Sequence, residues 1–130
     1  MHDLAFPAGG RRVWIVYDDR PTVAVFDVRT RRRLLTLPAG SPPQHIAYRR
    51  YVYVTSGNDG RVRLFSVAGR LLGVAATAPG SFNLSLGTDG TLLTSSLTAG
   101  TLTELGISGR RLLDRRVAPA ARDVAGVILP

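Results

Sequence analysis

Few side chains in this 130-residue sequence are suited to chemistry, and they stand in predicted turns or on predicted strands. The sequence has two histidines, His2 and His45, no cysteine and a single glutamate, Glu104. Two histidines without accompanying carboxylates do not make a metal site, because such sites use three or four ligands. We therefore predict no metal set, no catalytic set and no cofactor, and we interpret both histidines as strand-edge residues.

The acidic residues favour structural roles as well. Glu104 lies on a predicted strand and aligns with Val25 and Leu64, which places it at a position expected to be buried. A salt-bridged or edge position is favoured there over a ligand-binding role. The aspartates at 18, 19, 59 and 89 stand among turn residues, where their side chains bond the local backbone.

Charge is the most unusual feature of the composition. The formal net charge is +8, the isoelectric point is near 11.4, and all 17 basic residues are arginine. This pattern favours compositional bias with arginines on solvated loops. An anion-binding or nucleic-acid-binding surface is the alternative, because guanidinium pairs bidentately with phosphate.

Length and hydropathy bound the class of protein. The chain is long enough for one domain with a true core, and its 45% apolar content is that of a globular protein. No apolar run reaches the ~20 residues of a membrane helix, so no membrane span is predicted. The first residues lack a basic stretch followed by an apolar core, so no export signal is predicted and the compartment stays open.

The elements that must position these residues are strands. Residues 51–56 and 61–66 favour β structure and flank Gly57-Asn58-Asp59-Gly60, a loop composition typical of a hairpin. No long segment has helical periodicity, and Pro and Gly interrupt the chain about every ten residues. The sequence predicts an all-β class.

The hairpin pattern recurs about every forty residues. Strand-like runs stand in phase in three units, at 13–17 and 23–28, at 52–56 and 62–67, and at 92–96 and 102–107. A shorter run precedes each pair, a basic turn and a further run follow it, and each unit closes on small residues at 38–40, 78–80 or 118–120. Four strands repeating at this period predict β-propeller blades. We place the units at about 2–40, 41–80 and 81–120 of a single propeller segment, with an extra inner strand at 121–129.

Two stretches of this pattern resemble a known family. Tyr53-Val54-Thr55-Ser56 is similar to the signature of the YVTN-type β-propeller repeats, and residues 40–45 resemble that family's connection between blades. The third unit departs from the signature, with Leu93-Thr94-Ser95-Ser96 in its place. The resemblance implies the propeller fold and proteins that are often exported. It does not imply one function, because the repeats serve binding, surface and enzymatic roles.

Three blades are fewer than the four to eight that close a propeller. A bare blade face of roughly 300 Å² would lose on the order of 8 kcal/mol of burial. We therefore predict either a segment of a longer propeller or self-association of two copies into a six-bladed ring.

Ligands of propellers bind where inner-strand ends and loops converge near the axis. The residues that this geometry predicts for ligand binding are His45, Arg49, Arg50, Asp18, Asp19, Asn58 and Asp59. The favoured function is a non-catalytic module that binds a protein or a small ligand. The alternatives are a propeller enzyme of the lyase, lactonase or dehydrogenase type and a basic nucleic-acid-binding propeller.

Overall fold

The computed structural model describes residues 1–7 and 9–125, and this part of the chain forms three four-stranded antiparallel sheets. In each sheet the strands pair in chain order, as in a meander. The first sheet, blade 1, contains β1 (Asp3–Ala5), β2 (Arg12–Val16), β3 (Thr22–Asp27) and β4 (Arg33–Pro38). Blade 2 contains β5 (Ile46–Tyr48), β6 (Val52–Ser56), β7 (Arg61–Phe65) and β8 (Leu71–Ala76). Blade 3 contains β9 (Ser85–Leu86), β10 (Leu92–Ser95), β11 (Thr101–Leu105) and β12 (Arg111–Arg116). The predicted all-β class with three four-stranded blades is confirmed.

Two details differ from the sequence-based expectation. The loop between β6 and β7 is a single turn of 3-10 helix, Gly57–Asp59, closed by Gly60 with a left-handed φ of 60°. Residues 121–125 form no strand, and the rest of the predicted inner strand, 126–129, lies outside the described residues. An inner strand needs a neighbouring strand to pair with. All described strands already belong to the three complete sheets, so residues 121–125 have no second strand of a fourth blade to pair with.

Apolar side chains pack between blades rather than within one central core. Blade 1 contributes Trp14, Val16, Val23 and Val25 to the first interface, where they meet Val52, Val54 and Phe65 of blade 2. The second interface joins Tyr53, Val62 and Leu64 of blade 2 to Leu92 and Leu105 of blade 3. Every residue of β6 is buried, because alternate side chains serve the two interfaces.

The tetrapeptide Tyr53–Ser56 joins three parts of the chain by its side chains. The Tyr53 hydroxyl donates to the Ile107 carbonyl of blade 3 at 2.8 Å, and the Thr55 hydroxyl donates to the Phe82 carbonyl at 2.7 Å. The Ser56 hydroxyl donates to the carbonyl of Ala39 at 3.0 Å, in the segment that leaves blade 1. Three of the four side chains of this tetrapeptide therefore form hydrogen bonds that hold neighbouring blades together.

The Tyr53 hydroxyl predicts a stability effect with a defined pH dependence. Burial raises the pKa of Tyr53 from its ordinary value of 10.0 to about 12, so the unfolded chain loses this proton at a lower pH than the folded chain. The free energy of unfolding should fall as pH rises from about 10 to about 12, because the folded state then binds more protons. Tyr53→Phe should lose about 1–2 kcal/mol at pH 7 and show a smaller alkaline decline. Urea unfolding of both proteins at pH 7 and pH 11 measures this, and an unchanged alkaline decline in the variant would contradict it.

Within the described residues, no helix is both long enough and apolar enough to cross a membrane.

Candidate functional site

The inner strands of the three blades begin side by side at one face of the molecule, and a groove opens there. We call it the axial groove; its volume is about 640 Å³. It is lined by His2, Gln44, His45, Phe82, Asn83, Leu97, Arg122 and Asp123. Most of these side chains are polar, so the groove suits a hydrogen-bonding ligand better than a purely apolar one.

Strand register places one polar layer of the groove. In blade 1, Asp3 pairs with Val16. In blade 2, the register that pairs Ile46 with Val54 places His45 opposite Thr55, and the Thr55 N–H donates to the His45 carbonyl. In blade 3 Asn83 bonds to Ser95. Asp3, His45 and Asn83 therefore occupy equivalent positions on three successive inner strands, and Asp123 follows Asn83 by forty residues.

Two histidines in this region are each held by a carboxylate. His45 Nδ1 lies 3.2 Å from Asp3 Oδ2, and His2 Nδ1 lies 3.5 Å from Asp18 Oδ2. The two imidazole rings meet edge to face with their centroids 5.4 Å apart. At His45, a hydrogen bond from Nδ1–H to the Asp3 carboxylate corresponds to the tautomer in which Nε2 is the acceptor.

Asp3 connects blades 1 and 2 at the rim of the groove. Burial alone would raise its pKa, but hydrogen bonds from the His45 ring and from the backbone N–H groups of Ile46 and Leu4 hold the pKa below the ordinary value of 3.8. The N–H of Ile46 lies 3.0 Å from Asp3 Oδ2. Because the ionised form makes these bonds, Asp3 is a fixed negative charge beside His45 at neutral pH.

Asn83 fixes the groove from the blade 3 side. Its side chain is buried; the amide donates to the Ser95 hydroxyl at 3.0 Å and to the carbonyl of Arg122. Its side-chain carbonyl accepts from the Ser95 N–H at 2.9 Å. The chain that leaves β12 is thereby brought back to the axis, where Arg122 and Asp123 complete the lining.

Of the residues predicted from sequence for ligand binding, only some lie at the axial groove. His45 lines the groove and Asp18 lies beside it through its contact with His2. Asp19 pairs with Arg20 on the surface at 3.0 Å. Asn58 and Asp59 lie on the 3-10 turn that follows β6, and Asp59 forms a 2.9 Å ion pair with Arg63.

Arg49 and Arg50 lie at the opposite end of the inner strand from His45. The three residues of β5 lie between His45 and Arg49, and this extended stretch of chain separates the two by roughly 13 Å. Arg49 donates to the Gly87 carbonyl at 3.0 Å, and the Arg50 guanidinium lies 5.4 Å from the centre of the Tyr51 ring. The structure does not bring these two arginines together with the other predicted residues.

Of the eight groove-lining residues, only His45 was predicted from sequence to bind a ligand; the other seven, and Asp3 at the rim, were missed for that role. The forty-residue spacing of Asn83 and Asp123 was the available signal, because equivalent positions of successive inner strands face one axis. In the described part of the chain, no group of three or more histidine, aspartate or glutamate side chains is arranged to hold a metal ion.

The fold defines the class of protein: the described residues form a partial β-propeller of three blades with a polar axial groove. No protein-family model matches the chain, and no curated protein matches it either.

Solved structures share this fold at low sequence identity. The chain is similar to hydrazine synthase of Kuenenia stuttgartiensis, with a TM-score of 0.78 and 16% identity over 88% of the chain. It is also similar to a streptogramin B lyase, with a TM-score of 0.79 and 14% identity over 95% of the chain. A third similar structure is virginiamycin B lyase of Staphylococcus aureus, with a TM-score of 0.74 and 16% identity over 88% of the chain. The chain spans 36%, 43% and 40% of the lengths of these three proteins, respectively.

Proposed function

We propose that this chain is a non-catalytic propeller module that binds a protein or a small ligand at the axial groove. The observation that carries the proposal is the prearranged polar layer of Asp3, His45 and Asn83 at equivalent inner-strand positions. Each of these side chains is held by hydrogen bonds to a neighbouring segment. Polar groups fixed before binding favour recognition, because less conformational entropy is lost when a ligand arrives.

Binding is the first test of this proposal. Ligand-observed NMR with a collection of fragment amides, amines, carboxylates and sugars should find fragments that bind the wild-type chain. His45→Gln and Gln44→Ala should each weaken those fragments by about ten-fold, because each removes a polar contact of the groove. Arg61→Gln, an exposed change on blade 2, serves as the control and should leave binding unchanged. Fragments that bind equally well to all four proteins would contradict the assignment of the groove.

We further propose that additional blades complete the ring, as parts of a longer protein or of a second copy. The support comes from the outer faces of blades 1 and 3, which no other blade of the described chain covers. Phe6, Val28 and Leu34 in blade 1 are 52%, 42% and 43% exposed. On blade 3, Leu93 and Leu102 lie on the face turned away from blade 2, and both are only partly buried. Apolar surface of this extent favours association.

Glu104 provides the matched test of ring completion. It lies on the uncovered face of blade 3, in the position that the buried Leu64 holds in blade 2. Glu104→Leu should therefore strengthen self-association at least ten-fold, because a charged side chain no longer has to be desolvated. Light scattering behind size exclusion should give a larger fraction of species above 14.0 kDa for this variant than for Glu104→Gln. A well-folded monomer that binds no hydrophobic dye, in both variants and the wild type, would contradict ring completion.

One observation favours an enzyme as the second candidate. His45, with its Nδ1 beside Asp3, presents Nε2 in the form that a general base requires. Turnover in a panel of lactones and cyclic esters that His45→Gln abolishes, with Arg61→Gln active, would replace the binding proposal. Metal analysis of the purified protein tests for a bound cation in the same preparation.

A further inference from the structure

We propose that a cleft between blades 1 and 2, on the face opposite the axial groove, binds a small organic carboxylate. The cleft lies where the turn between β1 and β2 meets the turn between β7 and β8, and its volume is about 270 Å³. It is lined by Pro7, Arg11, Arg12, Trp14, Val67 and Ala68. This site is separate from the axial groove and does not depend on the function proposed for it.

The indole of Trp14 supplies the first argument. Its side chain is fully buried, and its Nε1–H has no hydrogen-bond partner among residues 1–7 and 9–125. A buried donor without an acceptor costs about 1–3 kcal/mol, so such donors are nearly always satisfied. An acceptor from outside the described chain is therefore expected at this place.

Comparison with the next pair of blades shows that the missing acceptor is specific to this cleft. Tyr53 occupies the position of Trp14 one blade later, and its hydroxyl donates to the carbonyl of Ile107 at 2.8 Å. The carbonyl equivalent to that of Ile107 belongs to Val67, and it accepts instead from Arg12 Nη1 at 3.3 Å. Arg12 has thus taken the acceptor that the repeat would provide to Trp14.

The charge of the lining indicates an anion. Two guanidinium groups border the cleft and no carboxylate is among its lining residues, within the part of the chain that is described. Asp27, which pairs with Arg12 across β2 and β3, already accepts hydrogen bonds from the Thr30 N–H and hydroxyl. Arg12 uses one donor on Val67, and a guanidinium has five.

The walls distinguish an organic carboxylate from a bare inorganic anion. Pro7, Val67 and Ala68 give the cleft an apolar side that suits a short hydrocarbon chain. One carboxylate oxygen would accept from Arg11 or Arg12 and the other from the indole N–H. The indole nitrogen is closed to solvent, so the lining side chains must shift when the ligand enters.

Trp14 is the only tryptophan of the chain, so its fluorescence reports on this cleft alone. Titration of the whole chain with sodium isobutyrate at constant ionic strength should give a saturable change with a dissociation constant on the order of 1 mM. Isobutyramide, the neutral isostere, and inorganic phosphate should bind at least ten-fold more weakly. Absence of saturation with isobutyrate, equal binding of the amide, or saturation with phosphate alone would each overturn the proposal.

Variants then assign the effect to the cleft. Arg11→Gln, at an exposed position where misfolding is not expected, and Arg12→Gln should each weaken isobutyrate binding by about ten-fold. Arg110→Gln makes the same charge change at an exposed position of blade 3 and should change the affinity less than two-fold. Equal affinity in Arg11→Gln, Arg110→Gln and the wild type would overturn the proposal. Calorimetry of Trp14→Phe, which lacks the indole N–H, should show a loss of about ten-fold, and an unchanged affinity there would also overturn it.

Discussion

Gly100→Ala is expected to lower the free energy of unfolding by on the order of 4 kcal/mol, a large effect for the addition of one methyl group. Gly100 has φ of +63°, where an L side chain is strained. A Cβ at this position would overlap the carbonyl oxygen of Ala118 and lie 2.8 Å from the carbonyl carbon. Since the obstacle is backbone, it moves only if the chain after β12 moves.

The same segment explains why this glycine matters for the site. The Gly100 carbonyl accepts from the N–H groups of Val117 at 2.9 Å and Ala118 at 3.2 Å as the chain leaves blade 3. The carbonyls of Pro21 and Gly60 accept from Ala39 and Thr77 in the same way in the first two blades. Displacing residues 118–122 would withdraw Arg122 from the axial groove as well as weaken the fold.

Gly10→Ala is the matched control for this prediction. Gly10 has φ of +69°, but a Cβ at this position would meet no atom of the described residues within 4 Å. Its replacement should cost only the conformational term of about 1–2 kcal/mol. Urea unfolding of the two variants separates the strain of the backbone conformation from the steric overlap, and equal losses would show that the overlap relaxes without cost.

The parts of the fold that the sequence predicts are those that depend on local chemistry. The hairpin of β6 and β7 follows from alternating apolar residues on either side of Gly57–Gly60, and the forty-residue period repeats this unit. Burial of Val52, Tyr53 and Val54 in β6 was also predictable, because apolar residues on both faces of a strand indicate a sheet between two others, whereas burial of Thr55 and Ser56 was not.

The site was less predictable because it depends on register and strand length. That Asn83 stands level with Asp3 and His45 follows from pairings along separate strands, which composition does not encode. Arg49 was expected near His45, but the three residues of β5 place the two at opposite ends of a strand. The unsatisfied indole of Trp14 could not be predicted from sequence, because it depends on Arg12 bonding to the Val67 carbonyl of the next blade.

Thr55→Val should lower the free energy of unfolding by about 2–4 kcal/mol, although valine has nearly the same shape and leaves no cavity. The Thr55 hydroxyl is fully buried; it accepts from the N–H of His45 at 3.0 Å and donates to the carbonyl of Phe82 at 2.7 Å. Valine leaves the His45 N–H and the Phe82 carbonyl without this hydrogen-bond partner, and the loss of these two hydrogen bonds accounts for most of the lost stability.

The hydroxyl also sets the distance between the inner strands of blades 2 and 3, because His45 and Phe82 both line the axial groove. Thr55→Val should therefore weaken fragment binding at the groove even under conditions in which the variant is fully folded. Thr55→Ser keeps the hydroxyl and loses one methyl group, so it should cost only about 1 kcal/mol and preserve binding. If serine proves as destabilising as valine, packing of the methyl group rather than the hydrogen-bonded link between blades holds this junction together.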